Sequence, residues 1–263
     1  MKTISKARSR RRHIISFSIF VFCTALAVFL FLQLQRQEKS DEQPLVLRRG
    51  LEFNETFWSK LYKPTRKDPV KKAPPKGQPA RVNGKIGLES PIDLKNWKMT
   101  VAVTSKEDKD TVLLTLTMDD IKKLPRTEIV NQFKCIEGWS EVMSFAGVKF
   151  SDFLKAYQLG MRDGIPGEYS IHNSNLYSHV GLETPDGEYY VSVDMRSMLA
   201  EETLLAYEIN GEPLSNDHGA PLRLVIPNKY GVKSLKRIGT LRFANHRLPD
   251  YWGEDGYDWY LGL

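Results

Sequence analysis

The sequence predicts an α+β fold of strands and short helices, preceded by one membrane-length helix. Three observations predict it. Trp97–Val103 alternates apolar and polar residues with the period of two that a half-buried strand requires, and 111–116 and 127–133 are further strand-like runs. From residue 81 onward there is no internal repeat and no long helical period, which leaves the mixed class. Near the N-terminus, Ile14–Gln35 contains no charged residue.

That uncharged run exceeds the roughly 20 residues a membrane-spanning helix needs. Lys2, Lys6, Arg8, Arg10, Arg11 and Arg12 precede it, so residues 1–13 are expected in the cytoplasm and the bulk of the chain on the opposite, periplasmic side. A cleaved signal peptide is the competing reading. Ala25-Leu26-Ala27 has the composition of a cleavage site but lies inside the apolar run, and Gln33-Leu34-Gln35-Arg36 offers none after it. Cys23 lacks the small preceding residue of a lipoprotein site, so 14–35 is expected to remain as an anchor. Ser9-Arg10-Arg11 is a faint twin-arginine signal, with an ordinary basic flank as the alternative.

Residues 36–80 are polar and proline-bearing, the composition of a linker. Within them Leu51–Trp58 is too aromatic for a spacer and is expected to dock on the domain that follows, residues 81–263. In that domain Thr117 is placed to cap a short helix with Asp119 and Asp120 in its first turn, ended by Leu124-Pro125. Phe150–Tyr157 reads as a helix capped at Ser151, and Met195–Ala200 as another. Strands are expected at Glu168–His172, Tyr189–Val193, Leu204–Ile209 and Leu222–Ile226.

The net charge of +6 is unevenly spread. Residues 1–80 hold 17 Lys/Arg against 6 Asp/Glu, and the remainder 21 against 26. The folded part is therefore mildly acidic, which removes the electrostatic reason to expect nucleic-acid binding. Two distant cysteines form no disulfide framework, and the five histidines show no zinc-type spacing.

The chemistry concentrates around Asn131–Ser140. Cys135 stands where a strand gives way to a glycine-containing turn, a position held by the sheet yet facing a loop. It is either a nucleophile or metal ligand, or a small buried hydrophobe. A second informative stretch follows the Asn210-Gly211 turn, where His218 and Arg223 can both donate to an anion. In Lys229–Arg237, small Gly231 and Ser234 let a ligand approach the backbone while Lys233, Lys236 and Arg237 supply charge. That cluster is either a phosphate site or a solvated face.

Lys134-Cys135-Ile136-Glu137-Gly138-Trp139-Ser140, His218-Gly219-Ala220-Pro221-Leu222-Arg223 and Tyr230-Gly231-Val232-Lys233-Ser234-Leu235-Lys236 occur in the order that resembles the sulfite oxidase family of molybdopterin enzymes, over about residues 81–263. The form of the cysteine motif is closer to the bacterial methionine-sulfoxide-reductase catalytic subunit branch. The resemblance implies a sulfite oxidase-type molybdopterin-binding fold of mixed sheets with short helices, carrying molybdenum-molybdopterin (Mo-pyranopterin). It implies Cys135 as the thiolate ligand of molybdenum, and His218, Arg223, Ser234, Leu235 and Lys236 as cofactor-binding. Ser174 and, from the N-terminal segment, Asn54 and Phe57 are further implied contacts, and Tyr257 the implied active-site tyrosine.

The departures bear on substrate. Sulfite oxidases carry an arginine where Ser140 stands, and their upstream Arg-Asn-His segment is not evident, so sulfite is a doubtful substrate. With the sequence ending at Leu263, neither an immunoglobulin-like dimerisation domain nor a haem domain is expected. A membrane-anchored oxidoreductase is therefore expected, transferring an oxygen atom to or from a small molecule such as a sulfoxide. Its electrons would pass through a separate haem- or quinone-linked membrane partner. A cofactor-free tethered binding module is the alternative; a cysteine hydrolase lacks a suitably spaced base.

Overall fold

The computed structural model describes residues 6–36, 39–40, 43–61 and 72–262. The chain divides into two compact units, Met1–Lys60 and Leu61–Leu263.

In the first unit, α1 (Lys6–Arg36) includes Arg10–Gln33, long and apolar enough to cross a membrane and with no part buried. A minimal antiparallel hairpin follows, β1 (Lys39–Ser40) on β2 (Gln43–Pro44), leading into α2 (Leu45–Leu61). Within the linker expected over 36–80, Lys39–Ser40, Gln43–Pro44 and Leu45–Leu61 are thus regular structure.

The second unit begins its regular structure at β3 (Lys98–Thr104) and β4 (Asp110–Thr117). Thr117 then caps α3 (Met118–Lys122) through a reciprocal capping box with Asp120, as its spacing predicts. β5 (Arg126–Lys134) and β6 (Ser140–Lys149) form a long hairpin that runs into α4 (Phe150–Tyr157). The expected cap at Ser151 is absent. The helix leaves β6 directly, Lys149 is its N-cap without a side-chain bond, and the Phe150 amide donates to the Thr203 carbonyl at 2.9 Å.

β7 (His179–Glu183), β8 (Tyr190–Asp194), α5 (Met195–Met198), β9 (Leu204–Ile209), β10 (Glu212–Pro213), β11 (Arg223–Val225), β12 (Thr240–Ala244) and α6 (Tyr251–Glu254) complete the unit. Glu168–His172, expected as a strand, is loop and turn. Asn173 explains it: its side-chain amide donates to the Glu168 carbonyl at 2.6 Å and its backbone to Ser170 at 2.9 Å, so local bonds replace a ladder.

Two five-stranded sheets result. One runs β10-β9-β6-β5 with β11 also on β9, all antiparallel; the other runs β4-β3-β12-β7-β8, with β12 parallel to β3. The main core includes Val148, Leu205, Leu222, Leu241 and Phe243, while a second, smaller core holds Ile129, Phe145, Leu204 and Ala206. Neighbours Leu204 and Leu205 thus serve opposite cores, and the β9 sheet is buried on both faces. Gly147 marks the closest approach in it: a Cβ there would collide with the Leu205 carbonyl, beside a bulge in the β6–β9 register.

Candidate active site

Cys135 occupies the turn between β5 and β6. Its amide donates to the Trp139 carbonyl at 2.9 Å, and the Gly138 amide donates to the Cys135 carbonyl at 3.1 Å. Gly138 permits this with φ of 90°. The sheet pairing closes immediately behind, Lys134 opposite Ser140, so the thiol is fixed to a rigid edge. It is 93% shielded from solvent yet lines a cavity of about 240 Å³.

A small polar set surrounds the sulfur. The Asn83 side-chain amide donates to Cys135 Sγ at 3.6 Å and to Glu137 Oε2 at 3.1 Å, and Trp139 Nε1 donates to the same carboxylate oxygen at 3.1 Å. The Arg81 guanidinium lies over the Trp139 ring, 4.5 Å from its centre.

The other wall is cationic. Arg223, on β11, is buried, with Nη1 donating to the His218 carbonyl at 3.1 Å and Nη2 to the Ser234 carbonyl at 3.2 Å. Its Nε has no hydrogen-bond partner and it joins no salt bridge among the described residues; Phe133 and Phe145 flank it instead. Burial pushes its pKa down to about 10. Lys236 Nζ donates to the carbonyls of Asn83, Gly84 and Asp217. Burial first, then the charge of Arg223, push it down to about 8. His218 is also lowered, by burial first and then by Arg223 and Lys236, and its Nδ1 is 2.8 Å from the Ser215 hydroxyl. Burial therefore disfavours charge on all three groups, neighbouring cations add to it at Lys236 and His218, and an anion in the cavity would relieve them together.

The backbone leaves no slack here. Gly219 has φ of 94°, and a Cβ on it would lie 2.8 Å from the Lys236 Cα; one on Gly231 would lie 2.5 Å from the Phe133 ring. These observations fit the cofactor of the resembled family: a shielded thiol on one wall, on the other a buried guanidinium with no carboxylate partner among the described residues, and glycines where the wall must stay thin.

Cys135, His218, Arg223, Ser234, Lys236 and Tyr257 all line this cavity. Tyr257 is half-exposed, edge-on to Trp252 at 5.3 Å. Leu235 does not line it; its side chain is buried in the main core and its carbonyl accepts from the Leu224 amide at 2.8 Å. Ser174 is exposed and outside the lining, its carbonyl bonded to the Arg162 guanidinium. Asn54 and Phe57 are exposed residues of α2, in the other unit.

The basic run behaves differently from its reading as a charge cluster. Only Lys236 reaches the cavity. Lys233 is buried and paired with Asp250 at 2.6 Å, because its residue position on the turn points into the core beside β8. Arg237 donates to the carbonyls of Leu88 and Ser90. Asn83, Glu137, Trp139, Tyr189 and Trp252 were not singled out from sequence. Glu137 and Trp139 stand inside the cysteine motif, where a signal existed; Asn83 shows only as half of an Asn-Gly turn.

A profile of the family described as "Oxidoreductase molybdopterin binding domain" matches residues 87–252. The uncharacterized oxidoreductase YuiH of Bacillus subtilis is 34% identical over 54% of this chain and 65% of its own length. The protein-methionine-sulfoxide reductase catalytic subunit MsrP is 27% identical in Campylobacter jejuni, over 64% of this chain and 55% of the relative, and 27% in Ralstonia nicotianae, over 67% and 50%. This chain covers less than two thirds of the length of each of these relatives. Among solved structures, the sulfane dehydrogenase SoxCD of Paracoccus pantotrophus overlaps with a TM-score of 0.47 at 18% identity, over 60% of this chain and 41% of that one. With the motif-bearing cavity and a profile match across more than half its length, the chain belongs to the oxidoreductase molybdopterin-binding family, in the sulfite oxidase-like group that takes a molybdenum-molybdopterin cofactor.

Proposed function

We propose that the protein is a molybdenum-dependent oxidoreductase, anchored by residues 14–35 with its catalytic domain, residues 81–263, on the periplasmic side. Its proposed reaction is two-electron oxygen-atom transfer on a small substrate such as a sulfoxide, the substrate class named in the MsrP relatives. The observation that carries this reading is one cavity with Cys135 on one wall and, on the other, buried Arg223, whose charge meets no carboxylate among the described residues. Cys135 would supply the thiolate ligand, and Arg223, Lys236 and His218 would hold the phosphate of the pterin. The bound group supplies the two-electron redox chemistry.

The chain's own residues do the rest. Glu137 is held by Asn83 and Trp139 beside the sulfur, and Tyr257 places a hydroxyl-bearing ring at the half-open side. Burial keeps water from competing for the Arg223 and Lys236 charges. Electrons would be exchanged with a separate haem- or quinone-linked membrane protein.

The test is the molybdenum content of the purified chain and of its Cys135→Ala variant, with sulfoxide reduction assayed on both. Near-stoichiometric metal and activity in the parent, with activity lost in the variant, are expected. A parent chain free of molybdenum, from a host that loads other molybdoenzymes, would overturn the proposal.

A further inference from the structure

Helix α2 has a largely exposed apolar face. At 100° per residue, Val46, Leu47, Leu51, Phe53, Phe57, Trp58 and Leu61 fall on one side, interrupted by Asn54, while Arg48, Arg49, Glu52 and Thr56 fall on the other. Phe53 is 69% exposed, Trp58 61% and Leu61 60%. Among the described side chains of the helix only Arg48 is buried. Phe53 stacks on Phe57 at 6.4 Å and Phe57 meets Trp58 edge-on at 5.1 Å, so the aromatics form one patch. A contiguous patch of this kind normally has a partner.

The chain itself says which partner is near. Among the described residues between α1 and α2 stands the β1–β2 hairpin, which pairs Lys39 with Pro44. Three residues, one strand spacing and one further residue bring the first residue of α2 within about 20 Å of Arg36, the last of α1. If α1 spans the bilayer, α2 is confined to its surface, where its effective concentration is high whatever its intrinsic affinity. The aromatic side suits the headgroup boundary, where Trp and Phe are favoured. The polar side mixes Arg48 and Arg49 with Glu52, so attachment should rest on apolar burial and need no anionic lipid.

We infer that α2 is an interfacial helix lying in the outer leaflet with Phe53, Phe57 and Trp58 at the headgroup–acyl boundary, a second membrane attachment beyond the anchor. This rests on the anchored reading above. It also takes Phe57 out of the cofactor contacts that the family resemblance implies.

The test uses the full chain in neutral phosphatidylcholine vesicles, with or without brominated acyl chains, which quench only tryptophans within the membrane. Bromolipid quenching in the parent and its loss in Trp58→Phe are expected, with both proteins resisting extraction by alkaline carbonate. A chain that stays with the vesicles but shows no Trp58-dependent quenching overturns the inference and leaves the anchor intact. Equal quenching in the parent and Trp58→Phe overturns it too, since another tryptophan would then be the one in lipid. Release by carbonate overturns the anchored reading, and the inference with it.

Discussion

Replacing Arg223 by methionine separates a functional cation from a structural one. In the folded protein the guanidinium sits at about 10, against an ordinary 12.5. That depression corresponds to about 3 kcal/mol against folding with the charge in place. The cost applies in full below pH 10 and fades as pH rises through that value toward 12.5. Methionine removes it while filling much of the same space. It also strips a donor from the His218 and Ser234 carbonyls, a loss of about 3–6 kcal/mol for two charge-assisted bonds. The lost bonds match or exceed that relief, so cofactor-free Arg223→Met should lose roughly 0–3 kcal/mol of urea stability. Anion binding has no such compensation. Losing one charge-assisted bond, about 1.5–3 kcal/mol, should weaken inorganic phosphate by roughly ten- to a hundred-fold, read as loss of the phosphate-induced rise in the urea midpoint. A cofactor-free variant destabilised by more than about 4 kcal/mol, or one that phosphate still stabilises like the parent, would refute the reasoning.

Other perturbations probe the same wall. Lys236, at about 8, is charged below that pH and neutral above it, so sulfate affinity measured by titration calorimetry should fall as pH rises from 7 to 9. Lys236→Met should abolish that inflection. Lys233→Met strands the Asp250 carboxylate in the core and should cost about 3–5 kcal/mol of urea stability. Gly219→Ala should cost more than the roughly 1–2 kcal/mol of its backbone conformation alone, and should weaken phosphate binding, because the new Cβ meets the Lys236 backbone. Gly138→Ala, where nothing lies within 4 Å, should show only the backbone cost in the same unfolding assay.

Half of this fold was legible because one-sided burial writes itself into sequence. Strand β3, with Met99 and Val101 buried and Lys98 exposed, and the Thr117–Asp120 box both follow local rules. Strand β6 escaped notice because sheet pairing and both cores bury six consecutive residues, Met143–Val148, which erases the period of two. Strand β12 is set by a parallel pairing to β3 across more than 130 residues, which no local window detects. At the site, the motifs fixed Cys135, His218, Arg223 and Lys236, but not the direction of a side chain on an irregular turn. Lys233 and Lys236 look equivalent in sequence and face opposite ways, one into the core against Asp250 and one toward the cavity. Asn83 contributes through a fold-back that brings it to Cys135, 52 positions away.

The cavity draws its wall from Asn83 at one end of the second unit to Leu261 at the other, by way of Cys135, Arg223 and Trp252. No local segment can retain a ligand there before distant strands have met, and non-local closure of this kind is slow. A bound cofactor would therefore act as a certificate of completed folding. Every chain that holds it has already brought Cys135, Arg223 and Trp252 together, and mass action would then drain the pool of incomplete chains toward the loaded form.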